Sequence, residues 1–479
     1  MKYDIVIGLE VHSELKTNTK AFCSCKNEFG GMPNINCCPV CLGLPGALPV
    51  ANKTAVEYTI RAGLAFNSII NNEAIFERKN YFYPDLSKAY QISQLEKPIC
   101  VGGSVEVELE DGTTKHVSLN RIHMEEDAGK NMHDDFLGIS MVDFNRCGVP
   151  LIEIVSEPEI YSSDEAVRYL DQIRQTLIYI GVTDGKMQEG SLRCDVNVSL
   201  KEHGCKVLGN RTEMKNLNSF KAVKRAIDYE VERQASLLGE GKTIDQETRR
   251  WDDNLGKSFS MRNKENSNDY RYFPDRDLLP INITEEYIAE IKKHLPELPI
   301  SRKKRYIDKL GLPEYDAKVL TNKKAISDFF EECLTIFNEP KAVSNFIMSH
   351  VLRVLKEDLD TENINIKITA QNLCAIIKMA KNAEINSSGA KTLFEAVWET
   401  GKDANDLVES LGLKQVSDEG QIEKIVLEII DANPQAVIDY KAGNTRAITF
   451  FMGQVMKMTK GKANPGIVNK LIEEQLNKI

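Results

Sequence analysis

Ile5-Val6-Ile7-Gly8-Leu9-Glu10-Val11-His12 ends in a strict alternation of apolar and polar side chains, the period-2 mark of a half-buried β-strand. Successive side chains of a strand point to opposite faces, so Glu10 and His12 share one face and Leu9 and Val11 the other. The same reading extends outward. Val105-Glu106-Val107-Glu108-Leu109-Glu110 alternates as well, and Asp111-Gly112 supplies a hairpin turn after it. Residues 151–155, 192–200 and 212–217 are further strand candidates. Helices interrupt them. Ser162-Ser163-Asp164-Glu165 forms a capping box, with Ser162 as cap and Glu165 reaching back. Val167, Leu170, Ile173, Leu177 and Ile178 then make one apolar stripe, which Gly181 ends. Phe220, Val223, Ile227 and Val231 mark a second helix that stops near Gly239. Hairpins mixed with segregated helices predict an α+β N-terminal domain with a largely antiparallel sheet.

Beyond Pro296-Glu297-Leu298-Pro299 the alternation gives way to helical periods, and near Gly412 a compact helical tail begins. Its last helix starts at Asn464 as cap with Pro465 in the first turn. The expected division is therefore 1–293, 294–411 and 412–479.

With 479 residues, 42% hydrophobic and 28% charged, the chain is expected to be a soluble protein of several domains. No run approaches the 18 or so apolar residues of a membrane span. The N-terminal stretch lacks the features of a secretory signal, so the expected location is the cytoplasm, with no membrane partner. A net charge of -10 argues against a nonspecific nucleic-acid binder. The charge is unevenly spread, however. Residues 441–470 hold Lys441, Arg446, Lys457, Lys460, Lys462 and Lys470 with no Asp or Glu. That stretch is either a phosphate-binding surface or a solvated helix face.

Five of the 11 cysteines fall between Cys23 and Cys41. Cys23-x-Cys25, then Cys38-Pro39-Val40-Cys41, offers two thiolate pairs separated by a loop, the pattern of a tetrahedral structural zinc site with no open position. Cys37 is an alternative to Cys38 that breaks the spacing.

A second constellation is acidic. Glu10 and His12 share a strand face, Glu153 opposes Ile152 and Ile154, and Arg193, Asp195 and Asn197 share a face, as do His123 and Glu125. If these strands are neighbours, they form an acidic floor whose hard oxygen ligands suit Mg²⁺, an ion that commonly holds ATP phosphates. Gly239-Glu240-Gly241-Lys242-Thr243 imitates a phosphate-binding loop, but Ser236 stands where that motif needs Gly and a helix precedes it, so it reads as a helix-ending loop. In Arg78-Lys79-Asn80-Tyr81-Phe82-Tyr83-Pro84-Asp85, aromatic and basic residues interleave, with Lys79, Tyr81 and Tyr83 as candidates for stacking bases and holding phosphates of a single-stranded RNA end. The alternative is that these aromatics are core. Tyr270-Arg271-Tyr272-Phe273-Pro274-Asp275 echoes the segment.

Several of these motifs together resemble the B subunits of the aspartyl/glutamyl-tRNA amidotransferases. They are Ile7 to His12, 78–85, 123–130, 151–158, Glu189-Gly190-Ser191-Leu192-Arg193-Cys194-Asp195, Glu213-Met214-Lys215-Asn216-Leu217-Asn218-Ser219-Phe220, Gln454-Val455-Met456-Lys457 and Gly461-Lys462-Ala463-Asn464-Pro465. The resemblance spans essentially the whole chain. It implies that 1–293 is a cradle domain similar to glutamine synthetase-type kinases, with the zinc module near 23–41, and that the helical and tail domains hold tRNA. It implies that Glu10, His12, Glu125 and Glu153 build the catalytic magnesium site. Arg193, Asp195 and Asn197 are candidates for substrate contact, and Lys457, Lys460 and Lys462 for tRNA phosphates. The expected activity is ATP-dependent amidation of glutamate or aspartate on mischarged tRNA through an acyl phosphate. The chain shows no serine amidase motif and no persuasive Cys-His pair, so ammonia is expected from a partner amidase subunit. A small third subunit is expected by resemblance alone.

Overall fold

A computed structural model describes residues 2–134, 136–263, 267–356, 364–415, 419–442, 444, 446–459 and 463–478. The chain separates into two compact units, Met1–Ser301 and Arg302–Ile479.

The first unit is built on a 10-stranded sheet. Its strands are β1 (Tyr3–Glu14), β2 (Ile69–Ile70), β3 (Cys100–Val101), β4 (Ser104–Glu108), β5 (Thr114–Glu126), β6 (Pro150–Ser156), β7 (Leu192–Glu202), β8 (Thr212–Lys215), β9 (Glu247–Asp252) and β10 (Lys257–Asn263). They lie in the order β10-β9-β8-β7-β1-β6-β5-β3-β2, with β4 paired to β5 off this path. Every pairing is antiparallel except β8 with β9. The sheet is thus largely antiparallel, as the alternation predicts.

Ile7, Leu9 and Val11 of β1 are fully buried in one core with residues of three helices, α1 (Lys53–Ala65), α2 (Ser163–Tyr179) and α3 (Phe220–Gly239). Removing each such side chain from water contributes roughly 1.5–3 kcal/mol, so this face fixes the register. Ser162 caps α2 by accepting the Glu165 N–H at 3.1 Å, while the Glu165 carboxylate accepts the Tyr161 N–H at 3.1 Å, one residue earlier than a reciprocal capping box requires. Gly239 to Thr243 ends α3, as the sequence indicates, with Gly241 at φ +76. At the far end of β6 the register against β5 shifts between Val155 and Ser156, and the freed Ser156 hydroxyl accepts the Leu9 N–H at 2.9 Å.

The second unit is helical and holds two hydrophobic clusters. One runs from Tyr306 to Val408, the other from Ile422 to Leu476. Asn464 caps the last helix, Pro465–Lys478, by accepting the Gly466 N–H at 2.9 Å. No helix among the described residues is long and apolar enough to cross a membrane.

Candidate functional site

The face of the sheet opposite α2 and α3 is polar, and register explains which polar groups meet. His12 on β1 stands opposite Glu153 on β6 and Arg193 on β7, and Glu153 stands opposite His123 on β5. Glu10 stands opposite Asp195. Two groups of possible metal ligands result.

The first is His12, Glu125 and Glu153, each offering one ligand atom within 4.8 Å of the others. His12 Nε2 lies 3.3 Å from Glu153 Oε2 and 3.9 Å from Glu125 Oε1. His123 Nε2 lies 3.6 Å from Glu153 Oε2 and 3.7 Å from Glu125 Oε2. His123 Nδ1 accepts from Arg121 Nε at 3.3 Å, which leaves the ring proton on Nε2, facing the carboxylates. The buried Ser93 hydroxyl donates to Glu125 Oε2 at 3.0 Å. Burial pushes the His12 pKa down, but the hydrogen bond and charge of Glu153, with Asp195 and Glu125, outweigh it and raise it to about 8. Glu153 is held well below the ordinary carboxylate range: burial opposes this, and the neighbouring His123, with the hydrogen bond and charge of His12, prevails. Glu125 is lowered too, against burial, by its hydrogen bond to His123 and by Lys79.

The second group is Glu10, Asp195 and Glu213, again within 4.8 Å. Glu10, expected in one set with His12, Glu125 and Glu153, is placed here instead. It stands two residues from His12 along β1, roughly 6.6 Å of strand, and Asp195 is its cross-strand neighbour. Asn197 Nδ2 donates to Glu10 Oε1 at 3.0 Å, and Thr248 Oγ1 to Glu213 Oε2 at 2.7 Å. Lys215 is ion-paired to Asp195 and lies 3.5 Å from Glu213. Sequence reasoning does not single out Glu213 as a ligand. Thr212, Glu213 and Met214 are all buried, so alternation does not mark which face Glu213 takes.

The other expected contact residues are spread over the same surface. Arg193 is turned to Asp127, with Arg146 3.6 Å away. Glu14 beside this pair is raised to about 8 by burial and by Asp127. Lys79 Nζ sits 5.0 Å from the Tyr270 ring centroid and 5.8 Å from that of Tyr81. The two echoing segments meet. Phe273 pairs with Arg78, Arg78 Nε donates to Asp275 Oδ2 at 2.8 Å, and Tyr81 packs edge-on to Tyr83 and Tyr270. Phe82, Tyr83 and Phe273 are exposed, whereas Tyr81 and Tyr270 are half-buried. Burial opposes the Lys79 charge, and Glu125, Tyr272 and Glu153 raise its pKa.

Past the β5–β6 bulge a cavity of about 430 Å³ opens beside Glu10. Gly8 and Val6 floor it, and Pro158, Ser199, Leu208 and Arg211 are among its walls.

The four cysteines Cys23, Cys25, Cys38 and Cys41 gather with all Sγ atoms within 4.8 Å of one another. The Cys38–Cys41 distance is 3.9 Å, close to the ~3.8 Å that a tetrahedron of 2.3 Å zinc–sulfur bonds requires. Cys37 lies outside the cluster, 3.9 Å from Asn145 Oδ1. The Cys41 thiol is lowered to about 4 by the Cys23 thiol and, against burial, by the Cys38 N–H and Lys20. The fully buried Lys20 places Nζ 3.7 Å from Cys41 Sγ. The donor set suits zinc. In the helical unit Lys457 is exposed, whereas Lys460 and Lys462 lie outside the described residues.

Residues 5–289 match the family described as the GatB/GatE catalytic domain, and residues 328–476 match the GatB domain. The chain is 53% identical, over the full length of both chains, to the B subunit of the aspartyl/glutamyl-tRNA(Asn/Gln) amidotransferase of Caldicellulosiruptor bescii. It is equally similar to the protein of that name from Caldanaerobacter subterraneus subsp. tengcongensis, at 53% over 478 residues and all of both chains. The corresponding protein of Geotalea daltonii is 50% identical over 99% of this chain and all of its own.

Proposed function

The chain belongs to the GatB family of amidotransferase B subunits, and from that premise we propose that it activates the side-chain carboxylate of glutamate or aspartate carried on tRNA(Gln) or tRNA(Asn). The observation that carries the reading is the pair of acidic groups side by side on one sheet face, with a base-sized cavity next to the second.

A carboxylate resists attack by ammonia because oxide would have to leave. Its oxygen attacks the γ-phosphorus of ATP, the bond to the ADP oxygen breaks, and the acid becomes an acyl phosphate. Ammonia then attacks the carbonyl carbon, the bond to phosphate breaks, a proton is lost, and the amide remains. His12, Glu125 and Glu153, and Glu10, Asp195 and Glu213, would hold magnesium, whose chemistry here would be to supply positive charge against the phosphates. The protein's own contribution is placement. Ser93 fixes the Glu125 carboxylate, Asn197 fixes Glu10 and Thr248 fixes Glu213, so the carboxylates are set before substrate arrives. The charge of Lys79 under Tyr81 and Tyr270 faces this floor, where a substrate carboxylate would need a cation. The exposed Phe82 and Tyr83 suit the stacked end of a tRNA.

The cavity by Gly8 takes the nucleotide base. A Cβ at Gly8 would meet its nearest atoms in Pro158 and Ser156 at ordinary van der Waals range, 3.8 Å, so Gly8→Val folds and narrows the floor. We expect its KM for ATP to rise about tenfold, 1.4 kcal/mol, with kcat little changed. An unaltered KM removes the base from this cavity.

The cradle is read as glutamine synthetase-like, 294–411 as a helical domain and 412–479 as a tRNA-binding tail. Exchanging Lys457, Lys460 and Lys462 for Glu weakens tRNA binding and reduces the slope of log affinity against log salt by roughly 0.7–0.9 for each phosphate no longer neutralised. Filter binding at three salt concentrations reads both, and an unchanged slope rules the tail out. Ammonia comes from an amidase partner, and a small third subunit completes the assembly. The experiment that tests the whole is amide formation on Glu-tRNA(Gln), then Asp-tRNA(Asn), by the co-expressed complex given ATP, Mg²⁺ and ammonium. Amide on either supports the reading. A complex that binds both tRNAs and amidates neither overturns it.

A further inference from the structure

Lysine is almost never fully buried unless its charge is paired. Lys20 is fully buried, and among the described residues no carboxylate is ion-paired to it. Its Nζ donates to the Asn36 carbonyl at 2.7 Å and to the Phe144 carbonyl at 3.5 Å, and its third neighbour is Cys41 Sγ at 3.7 Å. Carbonyls satisfy hydrogen bonds, but they bring no negative charge to set against an ammonium group. Lys88, which lies against Gly43 of the same module, shows the ordinary solution: it is ion-paired to Glu126.

The backbone places Lys20 between the two cysteine pairs. Its N–H donates to the Cys25 carbonyl at 3.0 Å, and the N–H of Ala21 donates to the Gly148 carbonyl at 2.8 Å. The main chain of Lys20 is therefore tied to the first pair, while its side chain reaches the second. Four thiolates around a divalent ion carry a surplus of negative charge. From Phe29 to Asn52, the segment that holds Cys38 and Cys41, the chain has no Lys, Arg or His of its own. Lys20 brings the cation from outside that segment. Cys41 Sγ then faces two donors, Lys20 Nζ and the Cys38 N–H at 3.2 Å. Groups of this kind, bonded to a ligand rather than to the ion, orient the ligand and govern how tightly the ion is held.

We propose that Lys20 is the counter-charge of the metal-loaded cysteine cluster: it positions the Cys41 thiolate and stabilises the anionic, loaded cluster in a buried place. The assignment rests on reading the four cysteines as a zinc site. On this account Lys20 acts in the loaded state alone, because without the ion its ammonium is a buried cation with no anion opposite.

The test uses the full-length chain and two variants, Lys20→Met, which removes the charge at similar length, and Lys20→Arg, which keeps it. Zinc affinity is read by competition with a chromophoric chelator, and ligand geometry by the absorption of cobalt(II) bound in place of zinc. Melting temperature is measured with zinc and after chelation. Lys20→Met is expected to bind zinc about 10–100-fold more weakly than wild type. Saturated with cobalt it should still show a tetrathiolate spectrum, and stripped of metal it should melt like stripped wild type. Lys20→Arg should recover most of the lost affinity. A Lys20→Met affinity within about threefold of wild type, below the cost such groups carry, overturns the proposal. So does an equal fall in melting temperature with and without zinc, the mark of a lysine that only ties two carbonyls together. Should Lys20→Met give no tetrathiolate spectrum, Lys20→Arg decides: restored affinity sustains the proposal and lost affinity overturns it. A wild-type chain that takes up neither zinc nor cobalt fails the cysteine site and the proposal with it, an outcome distinct from a Lys20→Met chain that binds as wild type does.

Discussion

Glu153→Gln is expected to slow ammonium-driven amide formation by about two to three orders of magnitude, the range seen when one preorganised electrostatic group is removed from a site. Glu153 is the centre of its group, 3.3 Å from His12 and 3.6 Å from His123, and those two rings hold its carboxylate ionised despite burial. Glutamine keeps the volume and a carbonyl oxygen for the His123 Nε2–H, so the packing around Ile152 and Ile154 survives. What disappears is one unit of negative charge at the point where the proposed function sets a cation against the phosphates. Two readouts separate chemistry from folding: single-turnover amide formation, and the melting temperature, expected within a few degrees of wild type. Glu110→Gln, on the exposed end of a hairpin, serves as the control. A rate within threefold of wild type, with the fold intact, removes the His12 group from the mechanism.

Cys41→Ser should be the most damaging single change to the fold of the first unit. Cys41 is buried, and its sulfur receives the Cys38 N–H at 3.2 Å and faces Lys20 Nζ at 3.7 Å. Structural zinc contributes roughly 10–16 kcal/mol in peptide models, whereas the loop 23–50 holds little regular structure that would keep it folded without the ion. The expected outcome is less than 0.2 equivalents of zinc, by order of magnitude, rapid proteolysis within 23–50 and a lower melting temperature. Cys37→Ser, whose thiol lies outside the cluster, should retain zinc and melt like wild type. A Cys41→Ser protein that keeps its zinc and its melting temperature would show that the four sulfurs do not hold the ion.

The sequence made the faces legible and left the neighbours hidden. Period-2 alternation correctly put Glu10 with His12, and Asp195 with Asn197, because β1 and β7 each bury one side in a continuous apolar core. It had no means of reporting that β1 lies between β6 and β7. That order decides that Glu10 meets Asp195 while His12 meets Glu153. Glu213 escaped because Thr212, Glu213 and Met214 are all buried and show no alternation, and Ser93 because a lone serine has no pattern at all. The cysteines were legible from spacing, since a short knuckle leaves the thiolates few ways to converge. The repeated tyrosine segments were visible as an echo, but their pairing through Phe273 and Arg78 spans almost 200 residues and lies beyond any local rule.

The place of β1 in the sheet has a consequence during synthesis. Its partners β6 and β7 begin at Pro150 and Leu192, so a ribosome adding about 5–20 residues per second makes them roughly 7–40 s after β1. For that interval the segment Ile5-Val6-Ile7-Gly8-Leu9 is an open strand edge with its apolar side uncovered. Until residue 200 or so has cleared the exit tunnel, that edge is open to pairing with another chain.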